Sequence, residues 1–469
     1  TFNMNTLIEL YRQNPLLLFL LFFIALLYAY YLHEKEKLNN PQVKDKRRTP
    51  ILKKGNSKHI TGIIFGRKGK KVYYSPVEEE GHVFCCASSG MGKTSALAIP
   101  SICSFGKDVT QGTCFCIDIS GDLSTQCHLP NSLIFDIENP DTIPYNIFSA
   151  IDSANNPEIQ NELLEKLSFL IMPEIKNSDN AASFFQKNGR NMLIGALIAY
   201  YHCGLDFVPI CKKIISMDYK KLLYDIVETQ NQNAIKYIAS FSGSNEKNSA
   251  GCKQCMDEYI KLYATNFRMS YALRRPCNGE LSITPQLLKS HNIFLCVPDA
   301  KTDVYGPLLG IITAQTFDYC AARKNGESPH ILFVLDEFAS LRISSNAILD
   351  AIRKYRKKNV RVMILTQSLI DLDILYDEKV RNAILSNIRY KVILGITDPA
   401  SQKYFADIVG QKDQRVQSTS INGNTTTISY STKKEYRISP EKFGQLKNDL
   451  YLICDDGTYA KYKKNYYFK

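Results

Sequence analysis

Residues 87–94 read Ala-Ser-Ser-Gly-Met-Gly-Lys-Thr, one residue short of the pattern GxxxxGK[ST], because Ala87 stands where the first glycine falls. The residue types suit one task. Glycines let backbone N–H groups turn inward around a phosphate, at the positive end of the helix that follows. Ser89, Gly90, Met91, Gly92, Lys93, Thr94 and Ser95 would form the cradle. Lys93 would reach the β- and γ-phosphates, and the Thr94 hydroxyl would take a Mg²⁺ ion. Ala87 is tolerable there if its φ is negative. The alternative, a chance glycine-rich turn, explains neither the apolar run His82–Cys86 before the loop nor the helical run Ser95–Ile99 after it.

Such a loop needs an acidic partner. Ile331–Leu335 is an apolar run that leads straight into Asp336 and Glu337. Asp336 would complete the Mg²⁺ shell begun by Thr94, and Glu337 is placed to polarise an attacking water. A glutamate directly after the aspartate favours ATP hydrolysis over a GTP switch. The next run, Val360–Thr366, leads to Gln367, a candidate for sensing the γ-phosphate or positioning water. Gln367 is equally suited to opening the helix that follows.

These residues require a framework of strands. Short apolar runs at His82–Ala87, Cys114–Ile119, Ile293–Val297, Ile331–Leu335, Val360–Thr366, Lys391–Ile396 and Leu450–Cys454 suit parallel strands covered on both faces. Helical periods lie between most of them, so the fold class is α/β. Residues 150–285 differ. Ile159–Ile171, Phe184–Tyr201, Tyr219–Glu228, Ala234–Ser240 and Met256–Leu273 predict an all-α insertion. Gln411–Lys434, rich in Ser, Thr, Asn and Gln, reads as a surface loop or loose hairpin. The expected organisation is 1–33 anchor, 34–58 basic linker, 59–149 with 286–469 the nucleotide-binding domain, and 150–285 the insertion.

Residues 16–32, LLLFLLFFIALLYAYYL, carry no charge. That length is close to the ~17-residue minimum for a membrane-spanning helix, and the closing tyrosines suit an interface. Glu34–Lys58 holds nine Lys or Arg against three Asp or Glu. A single pass with the bulk of the chain cytoplasmic follows from that asymmetry. The whole chain carries 58 Lys and Arg against 46 Asp and Glu, a net charge of +12. Half of it belongs to this linker and is explained by topology and anionic lipid. The 14 cysteines sit mainly in apolar runs, as reduced thiols do. Cys252 and Cys255 form the one CxxC, without a second pair to complete a zinc site.

The order of these pieces resembles the type IV coupling proteins, the TraG-like group of conjugation and type IV secretion ATPases related to the FtsK and HerA motors. The resemblance rests on Ser88–Thr94, Leu335–Leu341 (LDEFASL) and Leu365–Leu369 (LTQSL). Ile117–Asp122, Tyr145–Phe148, Ile384–Ile388 and Ile438–Phe443 add to it. It implies a RecA-like P-loop domain using ATP and Mg²⁺, with Lys93, Glu337 and Gln367 as the catalytic residues. It also implies a homo-oligomeric ring, usually a hexamer, in the cell inner membrane. Such a ring recruits a relaxase–DNA complex to the inner-membrane components of a type IV secretion channel and moves DNA by ATP hydrolysis. The insertion would take part in substrate selection. An arginine acting across subunits would be Arg389, Arg353 or Arg356. The basic stretch Arg353–Lys358, with Tyr355 interleaved, is a candidate for sequence-tolerant DNA contact, or else the solvated face of a helix. Two other readings stay open: a coupling ATPase for protein effectors, and a docking scaffold regulated by nucleotide.

Overall fold

The computed structural model describes residues 15–39, 49–174, 180–277, 279–341, 343–422 and 425–468. Two compact units account for them. One holds Thr49–Phe405 with Pro440–Lys469, and the other holds the N-terminal helix with Ala406–Ser439.

The larger unit is built on one sheet. Its strands are β1 (Lys53–Gly55), β2 (Gly62–Lys68), β3 (Lys71–Pro76), β4 (Val83–Ala87), β5 (Gly112–Asp118), β6 (Ser132–Asp136), β7 (Asn292–Cys296), β8 (His330–Leu335), β9 (Val360–Thr366), β10 (Tyr390–Gly395), β13 (Asp449–Cys454) and β14 (Tyr459–Lys463). The order is β1-β3-β2-β14-β13-β10-β4-β9-β8-β5-β7-β6. From β10 to β6 every pairing is parallel, and from β13 to β1 every pairing is antiparallel. The seven apolar runs of the sequence all form strands. β4, β5, β9 and β10 are buried at every residue, because helices cover both faces of a parallel sheet. Cys85, Ala87, Leu97, Ile102, Cys114, Val334, Leu365 and Val392 pack in one continuous core. The 14 cysteines are free thiols.

Between β6 and β7 the described residues form helices and no strand: Ser149–Asp152, Pro157–Ile171, Asn180–His202, Phe207–Ile215, Tyr219–Glu228, Gln232–Ile238, Glu246–Thr265 and Met269–Ala272. Asn156, Asp218, Asn231 and Asn245 cap four of them through their side chains, which satisfies N–H groups that have no partner inside a helix. The helix expected over Met256–Leu273 is interrupted. Asn266 leaves helical geometry (φ −79°, ψ 116°) and accepts the Arg268 N–H at 3.0 Å, a local bond that competes with the helix.

The polar stretch expected to be a loop or loose hairpin is a regular one, β11 (Gln411–Asn422) on β12 (Thr425–Tyr436). The segment expected to cross a membrane lies in the helix Pro15–Asn39, with Phe19, Leu20 and residues 22–32 exposed. Among the described residues no helix is long and apolar enough to cross a membrane. The side chains of 15–18, 21 and 33–39 are outside those described.

One buried amide ties the sheet to its connections. Asn292 is fully buried; its Oδ1 accepts the Cys114 N–H at 2.9 Å. Its Nδ2 donates to the carbonyls of Gly106 at 3.1 Å and Pro130 at 2.9 Å. Asn292→Ala would strand the buried Cys114 N–H and Gly106 carbonyl and release the partly buried Pro130 carbonyl, and the expected cost is about 2–4 kcal/mol. A lower denaturant midpoint for this unit is the measurement that checks it.

Candidate nucleotide site

The site lies at the carboxyl ends of β4, β9 and β8, where three successive connections leave the sheet. Ala87 ends β4 fully buried, and the left-handed angles fall on Gly90 (φ +74°) and Gly92 (φ +89°). The missing first glycine is therefore not needed for conformation. A neighbouring strand end pins the loop: Ser88 N–H donates to Gly395 O at 2.8 Å, and Thr397 N–H donates to Ser88 Oγ at 3.0 Å. The helix opens at Lys93 in a wide π-type turn and becomes α-helical over Ile99–Phe105. Pro100, without an N–H, cannot make the α-type bond to the preceding turn.

Lys93 is 7% exposed and its Nζ donates to Glu337 Oε1 at 2.7 Å. Gln367 Nε2 lies 3.3 Å from both Glu337 oxygens. β9 runs between β4 and β8, so Gln367 leaves the sheet between the loop and the acidic pair. Glu337 holds a left-handed φ of +45°, a costly conformation for a residue with a side chain and a common one at functional sites. It turns the carboxylate back over the loop.

Asp336 is 2% exposed, and its Oδ1 is buried without a hydrogen-bond partner. Burial first, and then the Glu337 charge, push its carboxyl up to about 7, with Lys93 pulling the other way. A buried carboxylate oxygen lacking a donor, with a half-buried Thr94 on the facing loop, fits a hard cation bound mainly through water and phosphate oxygens. Among the described residues no group of three His, Cys, Asp or Glu is arranged to hold a metal by itself. Ser89 and Gly90 are exposed, and Met91, Gly92 and Ser95 are half-buried, leaving the inner edge of the loop open to a ligand. Behind it, Asp118 at the end of β5 is fully buried and accepts from Ser124 N–H at 2.8 Å and Ser124 Oγ at 2.7 Å.

Other expected residues are not brought to the site within one chain. Arg389, Arg353 and Arg356 lie at the amino ends of β10 and β9, the opposite end of the sheet. Arg389 pairs with Glu79 at 3.3 Å and Arg356 with Glu80 at 2.9 Å. In the basic stretch Tyr355 is 6% exposed and packs on Phe317, centroids 6.1 Å apart. It is a core aromatic, which favours the reading of that stretch as a covering face. Conversely, the sequence did not point to the C-terminal segment. Lys464 Nζ donates to Met91 O at 2.8 Å and Tyr467 N–H to Ser95 O at 3.1 Å.

Residues 27–469 match the family described as type IV secretory system, conjugative DNA transfer. The chain belongs to this family. It is 23% identical to the VirD4 protein of Rhizobium rhizogenes over 380 residues, 77% of this chain and 54% of that one. It is also 23% identical to VirD4 of Agrobacterium fabrum, of which it covers 55%. The chain thus spans about half the length of these relatives. Among solved structures it shares the fold of the bacterial conjugative coupling protein TrwB lacking its first 70 residues, in a trigonal form with sulphate. The TM-score is 0.63 at 17% identity, over 81% of this chain and 84% of that one. TrwB in complex with ADP and Mg²⁺ gives 0.59 at 17% identity, over 82% and 84%.

The raised Asp336 carboxyl has a definite pH sign. The folded chain keeps this proton after the unfolded chain has lost it, so the stabilisation is full below about pH 4. It is lost as pH rises through about 7. Without divalent cation, stability should fall by about 4 kcal/mol across that window, at about 1.4 kcal/mol per pH unit. Asp336→Asn should remove that part of the slope in denaturant unfolding measured from pH 5 to 8.

Proposed function

We propose that the chain is a membrane-anchored coupling ATPase of a type IV secretion or conjugation system. In this reading it recruits a relaxase–DNA complex to the inner-membrane channel and drives DNA transfer by ATP hydrolysis. The observation that carries it is the convergence of Lys93, Glu337, Gln367 and the partnerless Asp336 oxygen around one glycine loop, in a chain of the conjugative DNA transfer family.

The chemistry follows from these side chains. Loop N–H groups and Lys93 take up the phosphates, and Lys93 then exchanges Glu337 for phosphate oxygens. The freed Glu337 carboxylate accepts a proton from the attacking water, held in place by Gln367. Thr94 and Asp336 would hold Mg²⁺, which supplies charge neutralisation on the phosphates. The Lys93–Glu337 pair thereby keeps the base from acting before substrate is bound. TrwB has been solved with ADP and Mg²⁺, which supports the same ligands here.

The single-pass anchor in the inner membrane, with the α/β unit in the cytoplasm, is read from the uncharged run 16–32, which lies in the helix Pro15–Asn39 with Phe19, Leu20 and residues 22–32 exposed. The all-helical segment 150–285 is read as the inserted domain. We place the working form as a homo-oligomeric ring, a hexamer, in which an arginine of one subunit, Arg389 among the candidates, serves the next. DNA contact is sequence-tolerant in this reading, because no base-reading element is evident in the sequence.

The test is ATP hydrolysis by the full chain with and without single- and double-stranded DNA. Lys93→Ala should lower turnover at least about 100-fold. Glu337→Gln should keep nucleotide binding and slow hydrolysis by about 10²–10⁴. Turnover stimulated by DNA and lost in Lys93→Ala is the expected result. Turnover indifferent to DNA would move the cargo to protein, and Glu337→Gln hydrolysing at the parent rate would remove Glu337 as the base.

A further inference from the structure

Beside the phosphate loop, where the antiparallel strands β2 and β14 adjoin it, lies a concavity of about 450 Å³, lined by Arg67, Gly69, Asn448, Lys463, Lys464 and Tyr466. It is made by the chain leaving β14, whose last residue Lys463 pairs with Arg67 of β2. Lys464, 2% exposed, fastens this segment to the loop by donating to Met91 O at 2.8 Å and Lys447 O at 2.9 Å. The next turn lies against the loop itself. A Cβ on Gly92 would stand 3.3 Å from Tyr466 Cε1, so a side chain at 92 would crowd that ring. The half-buried Tyr466 ring is stacked on Phe468, centroids 5.2 Å apart and 29° between planes, which fixes its attitude.

We propose that this C-terminal segment forms the nucleoside half of the site, with the Tyr466 ring as the surface on which the nucleobase stacks. The proposal rests on the reading of Gly90–Ser95 as a phosphate cradle and names what lies at its other end. A nucleoside triphosphate seated in a phosphate loop must project its sugar and base beyond the loop. At the inner edge the strand ends are occupied by Glu337 and Gln367. On the other side, the segment that meets Gly92 through Tyr466 and Ser95 through Tyr467 also lines the cavity of about 450 Å³, which offers an oriented aromatic ring and the amide of Asn448. The amide supplies both a donor and an acceptor for ring nitrogens and hydroxyls. Arg67 and Lys463 put positive charge at the mouth, where a polyanion enters; Asp449 holds Lys463 at 2.7 Å. Stacking on an aromatic face is indifferent to base identity, so this pocket discriminates nucleoside from bare phosphate more than adenine from guanine.

The experiment compares two probes on the full chain with Mg²⁺, by calorimetry: a non-hydrolysable ATP analogue and inorganic tripolyphosphate. Tyr466→Ala should weaken the analogue about tenfold and leave tripolyphosphate unchanged. Tyr466→Phe, which keeps the ring, should bind both as the parent does. Parent affinity of Tyr466→Ala for the analogue would overturn the proposal. So would an equal loss of both probes, which would make the segment a prop for Gly92. Lys93→Ala separates the two readings. If it loses both probes, the phosphate cradle stands whatever Tyr466 does; if it keeps both, the cradle reading fails and this proposal with it.

Discussion

A lysine and a glutamate 244 residues apart in the sequence meet at 2.7 Å in this fold, and the site depends on that contact. Lys93 is almost fully buried, whereas the Glu337 side chain is 30% exposed. A buried ammonium without a counter-charge is expensive, so the loop can be this closed only because β8 delivers a carboxylate to it. The delivery is topological. β9 separates β4 from β8, all three run parallel, and their carboxyl ends open at one edge. The left-handed turn at Glu337 then folds the carboxylate back across β9 to reach Lys93. Asp336, one residue earlier, is buried, and its unpartnered oxygen is what a cation would relieve.

The last strand of the parallel run, β10, and the antiparallel strands beyond it serve the same loop from the other side. β10 ends at Gly395, whose carbonyl takes Ser88 N–H, and the next turn supplies Thr397 to the Ser88 hydroxyl. β14 ends at Lys463, and the residues after it cover Met91, Gly92 and Ser95. The phosphate loop is thus braced by chain that follows it by more than 300 residues. The antiparallel addition is part of the site's construction as well as a border to the parallel core.

What the sequence made legible divides along these lines. β4, β5, β8, β9 and β10 were readable because a strand covered on both faces must be apolar throughout. β6 and β14 alternate between buried and exposed and are short, so they left little signal. β1, β2 and β3 precede the loop in a stretch dense with Lys and Gly. The hairpin β11–β12 is polar along its length, which removes the alternation that marks a half-buried strand. Within the site, Lys93, Thr94, Asp336, Glu337 and Gln367 were visible because each sits in a short motif at a strand end. Lys464, Tyr466 and Thr397 were not. They reach the loop through the order of strands in the sheet, and nothing in their own neighbourhoods says so. The basic run Arg353–Lys358 admitted two readings in the sequence, and the burial of Tyr355 against Phe317 favours the covering face.

The structure of the full chain bound to Mg²⁺ and a non-hydrolysable ATP analogue would test the central claim most directly. The expected result is the phosphates between Gly90 and Thr94, Lys93 Nζ moved from Glu337 to phosphate oxygen, and Asp336 Oδ1 facing the cation through water. A nucleotide bound elsewhere, with the 2.7 Å Lys93–Glu337 pair intact, would contradict it.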